Sequence, residues 1–179
     1  VYNKGWLQVN KHWYYLNSDG KMLTGTITVK GQKYILQSSG AMLTGDGWIS
    51  YQNHWYYIYK DGHINCDGWA KFGKHWYYLD PNTGIMQTKW KKIDGNWYYL
   101  NSDGVMQTGW LTYKEERYYF NGDGAMCTGW KKLSGNWYYL DPATGAMQTG
   151  WLELGDKSYY LKEDGVMVTG LYEIDGVTF

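Results

Sequence analysis

The chain has 179 residues and a formal net charge of zero, with 17 basic side chains against 17 acidic ones. That balance leaves no basic block for nucleic acid or an anionic membrane, and no apolar run approaches the ~18 residues of a membrane-spanning helix. With 20 Tyr, 12 Trp, 24 Gly and only three Phe, the chain is expected to bury aromatic rings, or expose some of them, rather than build a Val/Ile/Leu core.

Along the chain, one unit recurs: G-W, then seven residues after that Trp a W-Y-Y-L, then D-G, then Met, then Thr. The first Trp slot holds Trp6, Thr26, Trp48, Trp69, Trp90, Trp110, Trp130, Trp151 and Leu171, at steps of 20 to 22 residues. The second slot holds Trp13, Lys33, Trp55, Trp76, Trp97, Arg117, Trp137, Ser158 and Thr178. Together they contain all 12 Trp of the chain. A third slot, occupied by Met22, Met42, Ile64, Met86, Met106, Met126, Met147 and Met167, contains all seven Met. Residue types confined to fixed phases mark a repeat architecture. Residues 1–179 therefore read as one module of eight repeats plus a partial ninth. The chain begins inside a repeat, as expected of a mature form or a fragment.

Each unit reads as a β-hairpin. In WKKIDGNWYYL (90–100), Asp94-Gly95 has the chemistry of a two-residue type I′ turn. That turn sets Ile93 opposite Asn96, Lys92 opposite Trp97, Lys91 opposite Tyr98 and Trp90 opposite Tyr99. Facing residues share a side and sides alternate, so one face carries Trp90, Trp97 and Tyr99 and the other Ile93, Tyr98 and Leu100. A lone hairpin is marginal in water, but stacked copies bury one another's faces. The fold class is therefore all-β, a solenoid of stacked β-hairpins.

Stacking brings two indoles of one hairpin near one phenol of the next, with a Met close by. A gap so walled is expected to hold no charged or nucleophilic side chain of its own. Its π faces suit a quaternary ammonium, which offers no N–H donor and is held by cation–π attraction and methyl contacts.

The remaining signals are weak. Cys66 and Cys127 fall in different repeat slots and are expected to be free thiols. His12, His54 and His75 follow the repeat spacing, His63 follows a turn glycine, and none has the spacing of a metal site. The recurrent Asp-Gly pairs lack the ligand pattern of a calcium loop. No catalytic constellation stands outside the repeat, so the chain is expected to be non-enzymatic, with neither metal nor cofactor.

Tandem units such as TGWKKLSGNWYYLDPATGAMQTGW (128–151) resemble the choline-binding repeats (cell-wall-binding repeats) of Gram-positive surface proteins, and the resemblance covers essentially the whole chain. It implies a left-handed superhelix with choline, or phosphocholine, bound between consecutive hairpins. It further implies non-covalent attachment, outside the cell, to phosphocholine on teichoic and lipoteichoic acids. Carried over slot by slot, the choline-binding residues would be Trp6, Trp13, Met22 and Tyr34; Trp48, Trp55 and Tyr77, with Ile64 for Met; Trp69, Trp76, Met86 and Tyr98; Trp90, Trp97, Met106 and Tyr118; and Trp130, Trp137, Met147 and Tyr159. The other gaps depart from the pattern. Thr26 and Lys33 replace both Trp, which should leave that gap without choline. Arg117 would place its own guanidinium in its cage. Ser158 removes one wall beside Trp151. A glucan- or carbohydrate-binding repeat is the rival reading, and a solenoid that contacts a host or bacterial protein, with choline-dependent homodimer contacts, is another.

Overall fold

The computed structural model describes residues 4–174 and 176–178. Among these every regular element is a strand, and each sheet is a single antiparallel hairpin. The hairpins are β1 (Gly5–Val9) with β2 (His12–Leu16), β3 (Gly25–Val29) with β4 (Gln32–Leu36), β5 (Gly47–Tyr51) with β6 (His54–Ile58), and β7 (Gly68–Phe72) with β8 (His75–Leu79). Then come β9 (Lys89–Ile93) with β10 (Asn96–Leu100), β11 (Gly109–Tyr113) with β12 (Glu116–Phe120), β13 (Gly129–Leu133) with β14 (Asn136–Leu140), and β15 (Gly150–Leu154) with β16 (Lys157–Leu161). A short ninth pair, β17 (Glu173–Ile174) with β18 (Val177–Thr178), follows.

The turns dictate the register. Asp94 and Gly95 have φ of 49° and 85°, and Ser134 and Gly135 have 48° and 88°, the two positive values of a type I′ turn. Lys114 and Glu115 hold the same turn with no glycine, at 50° and 70°. In the seventh hairpin Trp130 faces Tyr139, Lys131 faces Tyr138, Lys132 faces Trp137 and Leu133 faces Asn136. This is the pairing read from the turn chemistry, and it places both indoles of a hairpin on one side.

A short third segment completes each unit. The residue of the methionine slot forms an antiparallel bridge to the last residue of its own hairpin, as in Leu16 with Met22 and Leu140 with Met147. Its backbone N–H then donates to the hairpin before: Met42 to the carbonyl of Trp13 at 2.7 Å, and Met126 to that of Trp97 at 2.8 Å. These bonds satisfy backbone groups that a lone hairpin would leave to water, and they fix the step from one repeat to the next.

The chain divides into two compact units, described residues up to Lys89 with Ser102–Val105, and Trp90–Asn101 with the described residues from Met106 onward. In the first, Leu36, Ile58 and Leu79 are wholly buried; in the second, Leu100, Phe120, Leu140 and Leu161 are. All seven are the final residue of their hairpin. This corrects the expectation of an aromatic core. This innermost position is aliphatic in every case but Phe120; Tyr34, Ile35, Tyr56, Ile64 and Tyr139 are buried beside it, and most Trp and Tyr rings are half-buried around it. Cys66 and Cys127 are free.

Candidate ligand cages

The first-slot indole is the hub of each aromatic cluster. Trp90 lies 6.4 Å from Trp97 with the ring planes at 84°, 5.3 Å from Tyr99, and 4.9 Å from Tyr118 of the next hairpin. Trp130 repeats this with Trp137 at 6.3 Å, Tyr139 at 5.0 Å and Tyr159 at 4.9 Å. Trp6 has Trp13 at 6.5 Å and Tyr34 at 4.8 Å, and Trp48 has Tyr77 at 4.9 Å. The pleat explains the choice of phenol. The second Tyr of each pair faces the first Trp of its own hairpin, so the first Tyr points the other way, toward the preceding hairpin.

Three of these clusters enclose an open recess. Trp6, Trp13 and Tyr34 wall one of about 280 Å³, Trp48, Trp55 and Tyr77 one of about 260 Å³, and Trp90, Trp97 and Tyr118 one of about 210 Å³. All are smaller than the roughly 300–1,000 Å³ of a drug-sized ligand site, which points to a small ligand or headgroup. The second-slot indole forms the outer wall and stays exposed: Trp13 at 38%, Trp97 at 40% and Trp55 at 47%. Exposure of large rings at one recurring position is unusual for residues serving only as filler. Lys132 faces Trp137 across its hairpin and holds its ammonium 5.7 Å from that ring.

The methionines differ from expectation. The Trp6 recess is lined by Met42, not Met22; the Trp48 recess by Met86, not Ile64; and the Trp90 recess by Met126, not Met106. Each comes from the segment after the next hairpin, because that segment bonds back to the second-slot carbonyl. By the same bond Met167 reaches Trp137, Met147 reaches Arg117 and Ile64 reaches Lys33. Met147 therefore belongs with Arg117 rather than with Trp130. Met22 and Met106 pack under turn glycines of the following repeat, Gly40 and Gly124. Of the group expected around Trp69, Trp69 and Trp76 belong to the first unit and Tyr98 to the second, while Met86 serves the Trp48 recess.

A further wall was not visible in the sequence. Each recess also touches a turn two hairpins onward: Asp61 beside Trp6 and Trp13, Ser102 and Asp103 beside Trp48 and Trp55, and Ala143 and Thr144 beside Trp90 and Trp97. Two of the three recesses thus carry a carboxylate, contrary to the expectation of cages without charged groups. Partial burial of Asp61 opposes its ionisation, but hydrogen bonds from the ring and backbone of His63 outweigh this and hold its pKa below the ordinary value. Burial, with Asp61 nearby, raises the pKa of Tyr34, whose hydroxyl donates to Gln32 Oε1 at 2.9 Å. Burial also raises that of Tyr118, aided by Glu116 and Tyr113. The phenols are therefore neutral walls, and the carboxylate adds attraction for a cation.

The departing repeats differ in kind. Lys33 lies in a polar recess of about 430 Å³ that includes Gln32, Tyr59, His63 and Asn65. The buried Asn65 amide is satisfied there by Tyr59 Oη at 2.8 Å and the Asp67 N–H at 2.9 Å. In the sixth repeat the Arg117 guanidinium stands over Trp110, 4.5 Å from the ring centre, with Tyr138 5.1 Å from the same indole. In the eighth, Ser158 Oγ donates to Glu153 Oε2 at 2.8 Å beside the exposed Trp151. Among the described residues no cluster of His, Cys, Asp or Glu could hold a metal ion, and no helix is long and apolar enough to cross a membrane.

Comparison with known proteins agrees with this geometry. The profile of the choline-binding repeat matches residues 3–46, 87–128 and 112–149, and that of the putative cell wall binding repeat matches 46–64, 67–86 and 149–167. No curated protein sequence matches. Choline binding protein F from Streptococcus pneumoniae is similar over 93% of this chain, at 34% identity and a TM-score of 0.75; the chain spans 58% of that protein's length. The same protein has been solved in complex with ipratropium. CbpJ from Streptococcus pneumoniae TIGR4 is 29% identical, with 98% of this chain and 84% of that one covered and a TM-score of 0.71. The choline-binding domain of CbpL from Streptococcus pneumoniae is 30% identical over 93% of this chain and 87% of that one, with a TM-score of 0.60. The chain belongs to the choline-binding repeat family.

Proposed function

We propose that the chain is a non-catalytic cell-wall-binding module of eight repeats and a partial ninth, which holds choline headgroups in aromatic cages between those hairpins that keep both the first- and the second-slot Trp. The headgroups are those of phosphocholine on teichoic and lipoteichoic acids, and the module anchors a surface protein without a covalent link. The observation that carries this reading is the Trp90–Trp97–Tyr118 recess. Its walls are two perpendicular indoles and a neutral phenol, and it opens to solvent beside the exposed Trp97. Such walls attract a cation through the ring quadrupole and its methyl groups through apolar contact. The Trp6, Trp48 and Trp130 groups repeat the arrangement, and Trp69 with Trp76 offers the same pair of indoles. Ipratropium is itself a quaternary ammonium compound, and its complex with a similar protein supports the reading.

A cage of three rings contributes about 2–4 kcal/mol, from ~0.5–2 kcal/mol per contact, which is a weak, roughly millimolar site. The test is a choline titration followed by Trp fluorescence and by melting temperature. Choline should quench or shift the emission and raise Tm, since a ligand bound only by the folded chain stabilises it. Neohexanol, isosteric but uncharged, should do far less. An equal rise in Tm with neohexanol would remove the cation–π account. Elution from a matrix by dextran instead of choline would favour a carbohydrate-binding module.

A further inference from the structure

Two second-slot residues are cations, and both reach the equivalent turn two repeats onward. The Lys33 ammonium donates to the backbone carbonyl of Pro81 at 3.1 Å and to that of Asn82. Arg117 Nη1 donates to the backbone carbonyl of Asp164 at 3.4 Å, while its guanidinium stands over Trp110. Pro81, Asn82 and Asp164 lie in the turn that follows the hairpin two repeats onward. In the open recesses the corresponding turns supply Asp61, Ser102 with Asp103, and Ala143 with Thr144. Both cations are half-buried, whereas all five Trp of the same slot are exposed.

We infer that Lys33 and Arg117 are built-in ligands: tethered cations that fill two cage positions and tie a hairpin to the turn two repeats onward. An external ammonium would make that link in the open cages, so the inference rests on the cage reading for its interpretation. Arg117 makes the cation–π contact with the one Trp left in its cage, and its fork of donors reaches a carbonyl that choline has no N–H to meet. Lys33 has lost both indoles and works through its hydrogen bonds to the turn and its charge attraction to Asp80. These two gaps therefore need no ligand, and the repeats around them stay joined in choline-free surroundings. Beyond the backbone bonds that join consecutive repeats, the chain divides its links between a hairpin and the turn two repeats onward into permanent ones and ones that a bound choline would complete.

The experiment is thermal unfolding of full chains in choline-free buffer, with circular dichroism confirming the fold. Arg117→Ala and Arg117→Gln should each lower Tm by about 2–4 °C, and Arg117→Lys should retain most of it because Lys33 shows that an ammonium reaches such a turn. Methylguanidinium, added at tens of millimolar, should restore more of the Tm of Arg117→Ala than it adds to the unsubstituted chain. A Gln variant as stable as the parent, or no excess rescue by methylguanidinium, would overturn the inference. Should Arg117→Ala fail to fold, Gln against Lys still decides. Arg117→Trp adds a separate arm: it should take up one more choline per chain by calorimetry, at the loss of choline-free stability. If the parent chain binds no choline at all, the proposed function fails, while the choline-free comparison of Ala, Gln and Lys still stands or falls by itself.

Discussion

At the scale of single residues, charge is placed with purpose in a chain whose net charge is zero. Asp61 borders the Trp6–Trp13 recess, and Asp103 borders the Trp48–Trp55 recess, but the Trp90–Trp97 recess is lined at that point by Ala143 and Thr144. Asp61→Asn keeps an oxygen to accept from the His63 N–H and removes only the charge. It should weaken choline at the first cage by about 2- to 5-fold, the range of an exposed charge pair, and leave the Trp90 cage unchanged. Ligand-detected titrations of single-cage Trp knockouts would resolve the two; equal weakening at both would refute the role of the carboxylate. Asp80 is half-buried, which opposes its charge, yet the Thr83 hydroxyl and backbone, the Asn82 N–H and Lys33 lower its pKa. Asp141 is lowered by the Thr144 backbone and hydroxyl, and then by the Ala143 N–H. A carboxyl whose pKa is lower in the folded chain stabilises fully above its unfolded value and loses that contribution as pH falls through the folded one. Tm should therefore hold from neutrality down to about pH 4 and decline below 3.8, the ordinary value for these groups.

At the scale of the hairpin and its following turn, two glycines in one short segment have different jobs. Gly124 has φ of +79°, and a β-carbon there would stand 2.3 Å from Met106 Sδ. Gly122 has no such conformation and no atom within 4 Å of the same test position. Gly124→Ala should cost about 1–2 kcal/mol, most of it from the left-handed backbone, because the methionine sulfur can shift. Gly122→Ala should be neutral or stabilise by up to about 1 kcal/mol through the unfolded chain. Denaturant unfolding of both variants measures this; a Gly122→Ala loss as large as that of Gly124→Ala would mean that the left-handed conformation at Gly124 is not the source of the cost. The pairing of methionine with the next turn glycine recurs at Met42 with Gly62, Met86 with Gly104 and Met147 with Gly165. It forces the turn down onto the preceding segment, which is what brings that turn's neighbours to the rim of a cage.

At the scale of the molecule, the proposed function has several weak sites on one chain act together. A polymer bearing many headgroups would then engage a second cage intramolecularly, so that avidity would exceed any single affinity by orders of magnitude. Trp97→Ala should reduce choline stoichiometry by one and speed release from choline-bearing walls, yet leave attachment in place. Complete loss of attachment with the fold intact would exclude a multivalent array. Because the chain carries 17 charges of each sign, retention should also change little between 0.1 and 1 M salt, while free choline elutes the module. A steep fall in retention with salt would indicate attraction to the phosphate backbone of the polymer instead.

Local rules decided a great deal here without any tertiary information. The 20- to 22-residue period, the two-residue turns and the two-fold alternation of strands place both indoles of a repeat on one face and the first Tyr of each pair on the other. That is enough to bring Trp130, Trp137 and Tyr159 together, because neighbouring hairpins within a unit stack in sequence order. What the sequence left open depends on contacts between a repeat and the one two places later. Met42 rather than Met22 closes the first recess because its N–H bonds the Trp13 carbonyl, and a backbone bond carries no residue signature. Asp61 carries no sign in the sequence of the recess it borders, because that contact spans two repeats. Lys33 reads in the sequence as a lost cage; only the fold, by setting the Pro81 and Asn82 carbonyls within reach, turns that loss into a link. The buried aliphatic line, too, is a property of stacking: a single Leu per repeat is an unremarkable count until superposed hairpins align those leucines and exclude water from them.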